Sequence, residues 1–174
     1  MIAHQIIKTV RAGNQVKRWH TRRMIQDETV GEHTANVLAL VFALSSDSTP
    51  STALISATLL HDTAEQWTGD IPATAKWSSK ALKEAADELE DDKMRENYLT
   101  PMIDEITDKE YIILKWADML DLCYFCLNEM QMGNMQAAEI YQNGVECLHR
   151  MEPIPVGVKL LKELEIERNH GRRL

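Results

Sequence analysis

The sequence predicts an all-α protein folded as one domain, and three observations carry that expectation. Apolar residues recur at helical spacing over most of the 174 residues. Alternating, β-branched strand signals are nearly absent, and there are no internal repeats or low-complexity tracts. Helix-start and helix-stop residues stand where the periodic stretches break: Thr29 with Glu32 behind it, Pro50, Gly69, and Gly133-Asn134. The length suits a single domain spanning residues 1–174, which would bury roughly 70% of its unfolded surface.

Taken in order, residues 2–16 predict a first helix with Ile2, Ile6, Ile7 and Val10 on one face, weakened at its end by Gly13-Asn14. Val16 to Arg23 has no clean period and reads as a functional loop. Thr29 opens a second helix as an N-cap with Glu32 completing a capping box; Val37, Leu38, Leu40, Val41, Phe42 and Leu44 fill its body. After a loop around Pro50, a third helix carries Leu54, Ile55, Ala57, Leu59 and Leu60 and runs to about Ala64. Trp67 to Pro72 reads as a turn. Residues 78–99 form an acidic amphipathic helix with Leu82, Ala85, Ala86, Leu89 and Met94 inward, and residues 104–106 a connection or short helix. A long apolar helix then covers 109–131, followed by helices over 134–151 and 155–169 and a basic tail.

The net charge of -8 is unevenly placed. Residues 84–110 hold eleven acids against Lys93, Arg95 and Lys109, whereas residues 1–26 hold six Lys and Arg and no acid. So acidic a chain is a poor match for duplex nucleic acid, which demands many phosphate-neutralising cations; a short cationic patch suits a small phosphate-bearing ligand better. No apolar run approaches the ~20 residues of a membrane span, and Met1-Ile2-Ala3-His4-Gln5 lacks a signal peptide's charged start. Three Cys fit a reducing, cytoplasmic setting. Cys123 and Cys126 form a C-x-x-C inside an apolar helical pattern, with no second pair, and read as core cysteines.

The polar residues inside apolar helices point to chemistry. His61-Asp62 closes the third helix's apolar run, and Asp118 stands between Ala117 and Met119 in the long one. A buried ionised Asp is costly unless it is paired or holds a cation. With His33 in the first turn of the second helix, two imidazoles and two carboxylates make a donor set for a divalent ion: Mn, Co, Zn, Fe or Mg. Glu65, four residues after His61, would share its helix face and is placed to orient or deprotonate a water there. Arg18 suits a bidentate phosphate grip. Trp19 either pins its loop to the core or offers a flat surface to a base or sugar. Asp70 either caps the next turn or accepts from a sugar hydroxyl.

The ordered set His33, His61-Asp62 and Asp118 resembles the signature of the HD-domain phosphohydrolases. Adding Arg18-Trp19, Glu32-His33, Glu65, Thr68-Gly69-Asp70-Ile71-Pro72, Lys76 and Lys115-x-Ala117-Asp118 makes residues 15–120 similar to the bacterial 5′-deoxynucleotidases of the YfbR type and their small phage relatives, including dATP triphosphohydrolases of the DatZ type. That resemblance implies an HD-domain helical bundle and a metal held by His33, His61, Asp62 and Asp118. It implies Glu65 as the catalytic acid/base, Arg18 as the phosphate-orienting residue and Trp19 against the nucleoside. Asp70, Ile71, Pro72 and Ala73 match the loop that reads the deoxyribose, although Ala73 stands where the bacterial enzymes carry Thr. The implied reaction cleaves the bond to the nucleoside 5′ oxygen. The first expectation is dATP triphosphohydrolysis, with Lys76 and Lys115 gripping the outer phosphates; a 5′-deoxynucleotidase acting on monophosphates is the alternative, and a non-catalytic nucleotide-binding domain a remote one. The Arg-Trp and Thr-Gly-Asp elements point away from cyclic nucleotides and alarmones. The resemblance further implies a homo-oligomer, dimer or hexamer, in the cytosol of a bacterium, with a phage-encoded origin also compatible.

Overall fold

The computed structural model describes residues 2–45, 48–100 and 106–171, apart from the side chains of Ala73, Thr74 and Trp77. Among these residues there are only helices, turns and one isolated bridge between Lys17 and Thr29. The helices are α1 (Ile2–Gly13), α2 (Val30–Leu44), α3 (Thr52–Leu60), α4 (Glu65–Thr68), α5 (Ala73–Ser78), α6 (Lys80–Glu96), α7 (Asp108–Gln131), α8 (Ala137–Arg150) and α9 (Pro155–Gly171). The all-α expectation holds. None of these helices is long and apolar enough to cross a membrane.

The axis of the bundle is α7, which packs against α2, α3, α8 and α9. Its apolar stripe (Leu114, Ala117, Leu120, Cys123, Cys126, Leu127) meets Val37, Val41 and Leu44 of α2 and Tyr141, Val145 and Leu148 of α8. Both C-x-x-C cysteines are buried there, and burial pushes the Cys126 thiol up to about 12, so it stays protonated and works as an apolar filler. A second, smaller cluster of Leu60, Ala64, Met94 and Leu99, with Ile6 and Val10 of α1, ties α4 and α6 to the bundle.

Caps define the two helices that carry the site. Thr29 and Glu32 make the expected capping box at the start of α2, and Thr107 with Glu110 makes another at the start of α7. The third helix is shorter than its sequence suggests: α3 ends at Leu60, and His61 to Ala64 form a turn before α4 begins at Glu65. Glu65 therefore does not share a helix with His61. The end of α1 lies against this break: a Cβ on Gly13 would come within 2.8 Å of the Thr63 carbonyl oxygen. The backbone of α1 is thus seated directly on the turn. Gly69, at φ 70°, ends α4 in a conformation glycine adopts without cost. The stretch after Pro72, to which the sequence assigns no element, is the short helix α5, and the acidic helix starts at Lys80 and ends at Glu96. The predicted connection at 104–106 lies outside the described residues except for Ile106.

Candidate active site

Four side chains from three regions of the chain converge. His33 lies in the first turn of α2 and is fully buried. Its Nε2 is 3.3 Å from His61 Nε2, 3.3 Å from Asp118 Oδ1 and 3.5 Å from Asp62 Oδ2. His61 Nε2 is 3.4 Å from the same Asp62 oxygen. One donor atom each from His33, His61 and Asp118 lies within 4.8 Å of the others.

The outer nitrogens fix the tautomers. His61 Nδ1 is 2.8 Å from the Thr58 carbonyl, which only accepts, so Nδ1 carries the hydrogen. His33 Nδ1 is 2.6 Å from Asp121 Oδ2 and donates to that carboxylate. In the neutral rings both Nε2 lone pairs then face each other, with two carboxylate oxygens beside them. Such a focus demands a cation. The acidities express that demand. Burial opposes charge on His33, but its bonds to Asp118 and Asp121 win and raise it to about 9. Burial likewise works against ionised Asp118, yet the His33 bond and the charges of His33 and Lys115 hold it well below the usual carboxylate range. A divalent ion would answer the same demand, and these residues could hold one.

Glu65 begins α4 beside this focus. It is buried, and among the described residues its Oε2 has no hydrogen-bond donor. Burial, then the charges of Asp62 and Asp70, push its carboxyl up to about 9, against the pull of Arg18 and Lys76. An unpartnered buried carboxyl with a raised pKa is the usual signature of a proton-transfer group.

Arg18 reaches in from the loop between α1 and α2. Its Nη1 is 3.5 Å from Asp62 and its Nε 3.2 Å from Glu28, while its backbone N–H donates to the Glu28 carbonyl. Burial opposes the guanidinium charge, and Asp62 and Glu28 more than restore it. Trp19 is firmly pinned: its ring stacks on Phe125 at 5.0 Å and 7°, and its Nε1 donates to Glu28 at 2.7 Å. Its φ of 60° is strained for a bulky residue, and its backbone N–H donates to Asp70 Oδ2 at 3.2 Å. Asp70 thereby joins the 69–72 connection to the Arg18–Trp19 loop; Ile71 and Pro72 are half-buried in it, and the Ala73 side chain lies outside the described residues. Lys115 Nζ is 3.8 Å from Asp118. Lys76 Nζ is 3.5 Å from Glu90 of α6 and so is not a free cation.

Three acids that the sequence left without a role hold this arrangement. Asp121 orients His33. Glu28, 6% exposed, ties Arg18 to Trp19. Glu129, fully buried, accepts the backbone N–H groups of Ile25 and Gln26 at 2.8 Å each and the Asn134 amide at 2.6 Å. Burial would push Glu129 up, but those bonds hold it below its ordinary value. Asp118, Asp121, Phe125 and Glu129 follow one another at steps of three and four residues, so a single face of α7 serves the ion focus, His33, Trp19 and the loop backbone in turn. A cavity of about 570 Å³ lies between α2, α7 and the loop, lined by Glu28, Asp121 and Phe125 and by none of the four converging residues.

Comparison with known proteins fits this layout. A family model described as 5′-deoxynucleotidase YfbR-like matches residues 5–163. The chain belongs to the YfbR-like 5′-deoxynucleotidase family. It is accordingly a hydrolase. A 5′-deoxynucleotidase of Photobacterium profundum is 29% identical over 146 residues, covering 72% of this chain and 75% of its own. The YfbR 5′-deoxynucleotidase of Salmonella arizonae is 29% identical over 141 residues, covering 68% and 69%. Among solved structures, an HD-domain phosphohydrolase from Listeria innocua superposes with a TM-score of 0.80 at 22% identity, over 97% of this chain and 90% of its own. The DatZ HD phosphohydrolase of cyanophage S-2L, bound to dA and one catalytic Zn2+, superposes with a TM-score of 0.69 at 16% identity, over 94% and 96%. Both structural likenesses establish the HD fold.

Proposed function

We propose that this YfbR-like enzyme hydrolyses 2′-deoxynucleoside 5′-monophosphates at the bond to the 5′ oxygen, with a divalent metal held by His33, His61, Asp62 and Asp118. The observation that carries the reading is the pair of Nε2 atoms facing each other at 3.3 Å between Asp62 and Asp118. An ion held there supplies Lewis-acid polarisation of the phosphoryl oxygens. The remaining chemistry belongs to the side chains. The water's oxygen bonds to phosphorus as the bond from phosphorus to the 5′ oxygen breaks; Glu65, which its surroundings keep protonated, gives its proton to that leaving oxygen and is reprotonated by the proton the water sheds. Arg18, held by Glu28, faces the phosphoryl oxygens and offsets charge that builds on them. Trp19 walls the nucleoside side, and the 69–72 connection, tied to Trp19 through Asp70, meets the deoxyribose.

The number of available cations favours a monophosphate over a triphosphate. Arg18 is committed to Asp62 and Glu28, and Lys76 to Glu90, leaving Lys115 as the cation of the expected set nearest the ion focus. The dATP triphosphohydrolase reading keeps one specific support, the likeness of the fold to the dA-bound phage enzyme. Incubation with dAMP and with dATP under Mn, Co, Zn or Mg, followed by 31P NMR, separates the two. Orthophosphate and deoxyadenosine from dAMP are expected. Tripolyphosphate from dATP with dAMP untouched would overturn the monophosphate reading in favour of the second. No turnover of either under any of these ions would overturn both.

A further inference from the structure

Helix α6 places an acid, Glu90, at the edge of the site and a cation, Lys83, near Lys115. Glu90 Oε1 accepts the Thr68 hydroxyl at 3.2 Å and pairs with Lys76 Nζ at 3.5 Å. Thr68 lies three residues after Glu65 on α4, one helical turn away. Both partners of the Glu90–Lys76 pair are about four-fifths shielded from solvent, with side-chain exposures of 20% and 22%. The pair thus sits at the edge of the site, where solvent screens it only in part.

We propose that Glu90 is a specificity-determining residue that disfavours nucleoside polyphosphates; the inference rests on the monophosphate reading above and names its cause. A monophosphate places its charge against the ion focus and Arg18. A di- or triphosphate must place further negative charge outside that focus, and Lys76 is the cation this edge offers. Glu90 occupies Lys76 and adds its own negative charge, with Asp70 on the neighbouring connection contributing a second. The selectivity is therefore negative: it comes from a repulsive group and an occupied cation rather than from extra contacts to the preferred substrate. Glutamine at position 90 keeps an acceptor for the Thr68 hydroxyl while removing the charge, so Glu90→Gln isolates the electrostatic part.

The test compares kcat/KM for dAMP and dATP in the wild type, in Glu90→Gln and in Glu90→Gln combined with Lys76→Gln, all under saturating Mn. Glu90→Gln should raise the dATP-to-dAMP ratio about tenfold, the scale of one unit charge acting through a partly buried boundary. Removing Lys76 as well should abolish the gain. An unchanged ratio, a fall in both substrates together, or a gain that survives loss of Lys76 would each overturn the proposal; a selective loss of dATP would show that Glu90 aims Lys76 at the outer phosphates instead. The same comparison is read as a ratio of dissociation constants in a Glu65→Gln background by calorimetry. If the wild type hydrolyses neither nucleotide, the monophosphate reading fails, while an unmoved binding ratio in that background refutes Glu90 separately.

Discussion

On the α2–α7 side of the site, the groups that orient His33 and hold the Arg18–Trp19 loop are backed by the main core. His33 and Glu129 are fully buried, Asp121 and Glu28 nearly so, and their carboxylates are matched to specific donors. On the α4–α6 side, Glu65 has an oxygen with no donor, Lys76 and Glu90 form an edge pair, and α6 buries only Ala86 and Met94 among its described residues. The first side is preorganised: its geometry is over-determined by packing and hydrogen bonds before any substrate arrives. The second keeps its polar groups less satisfied, which costs stability and leaves them available for proton transfer and for discrimination. Stability and chemistry are thus divided between the two sides of one site.

The sharpest way to break this comparison is Glu65→Gln. The substitution preserves shape and removes a proton carrier from the less satisfied side. Turnover should fall by about 10²–10⁴-fold, while Mn affinity and dAMP affinity, measured by calorimetry, stay close to the wild type. Retained turnover would move the acid/base role to another residue; lost metal would mean that the two sides are not separable.

What was legible in the sequence follows the same division. Asp118 and the His61-Asp62 pair stood out because an acid inside an apolar helix demands a partner, and the structure supplies one for each. Glu129 carries that same signal in the same helix, but its partners are backbone N–H groups of a loop, which no side-chain pattern advertises. Glu28 was hidden in a polar run, Gln26-Asp27-Glu28-Thr29, that reads as solvated until the loop folds back on Phe125. The helix predicted to Ala64 stops at Leu60 although His61-Asp62-Thr63-Ala64 contains no breaker; the break comes where α1 seats Gly13 on Thr63. Lys76 looked like a free phosphate ligand because Glu90, its partner, lies fourteen residues away on a helix whose many other acids face solvent.

Glu129→Gln is a milder probe of the preorganised side. A glutamine accepts from one of the Ile25 and Gln26 N–H groups and presents its own N–H₂ to the other, so the loop carrying Arg18 and Trp19 loosens about 11 residues along α7 from Asp118. Losing one charge-assisted bond should raise KM for dAMP about tenfold, with metal affinity unchanged because none of the converging residues moves. A parallel loss of metal would show that loop and ion focus are one cooperative unit rather than two fixtures on one helix face.

The smallest effect is on stability, and it separates protons from metal. In chelator-treated protein, Glu65 holds its proton to about 9, whereas in the unfolded chain it ionises near 4.5. His33 holds its proton to about 9 against 6.5 when unfolded. Between pH 6.5 and 9 the folded state therefore binds more protons than the unfolded one, so stability must fall as pH rises. The depressed acidity of Asp118 acts only at the acid end, where its contribution is lost as the pH drops below the ordinary Asp range. Each kcal/mol lost lowers Tm by about 2–4 °C for a chain of this size. Scanning calorimetry should show Tm of the metal-free protein declining from pH 6.5 to 9. Added Mn, which replaces the His33 proton, should raise Tm more at pH 8 than at pH 6. A Tm gain from Mn that is equal at both pH values would mean that the ion binds away from His33, and the division of the site into two sides around one cation would have to be redrawn.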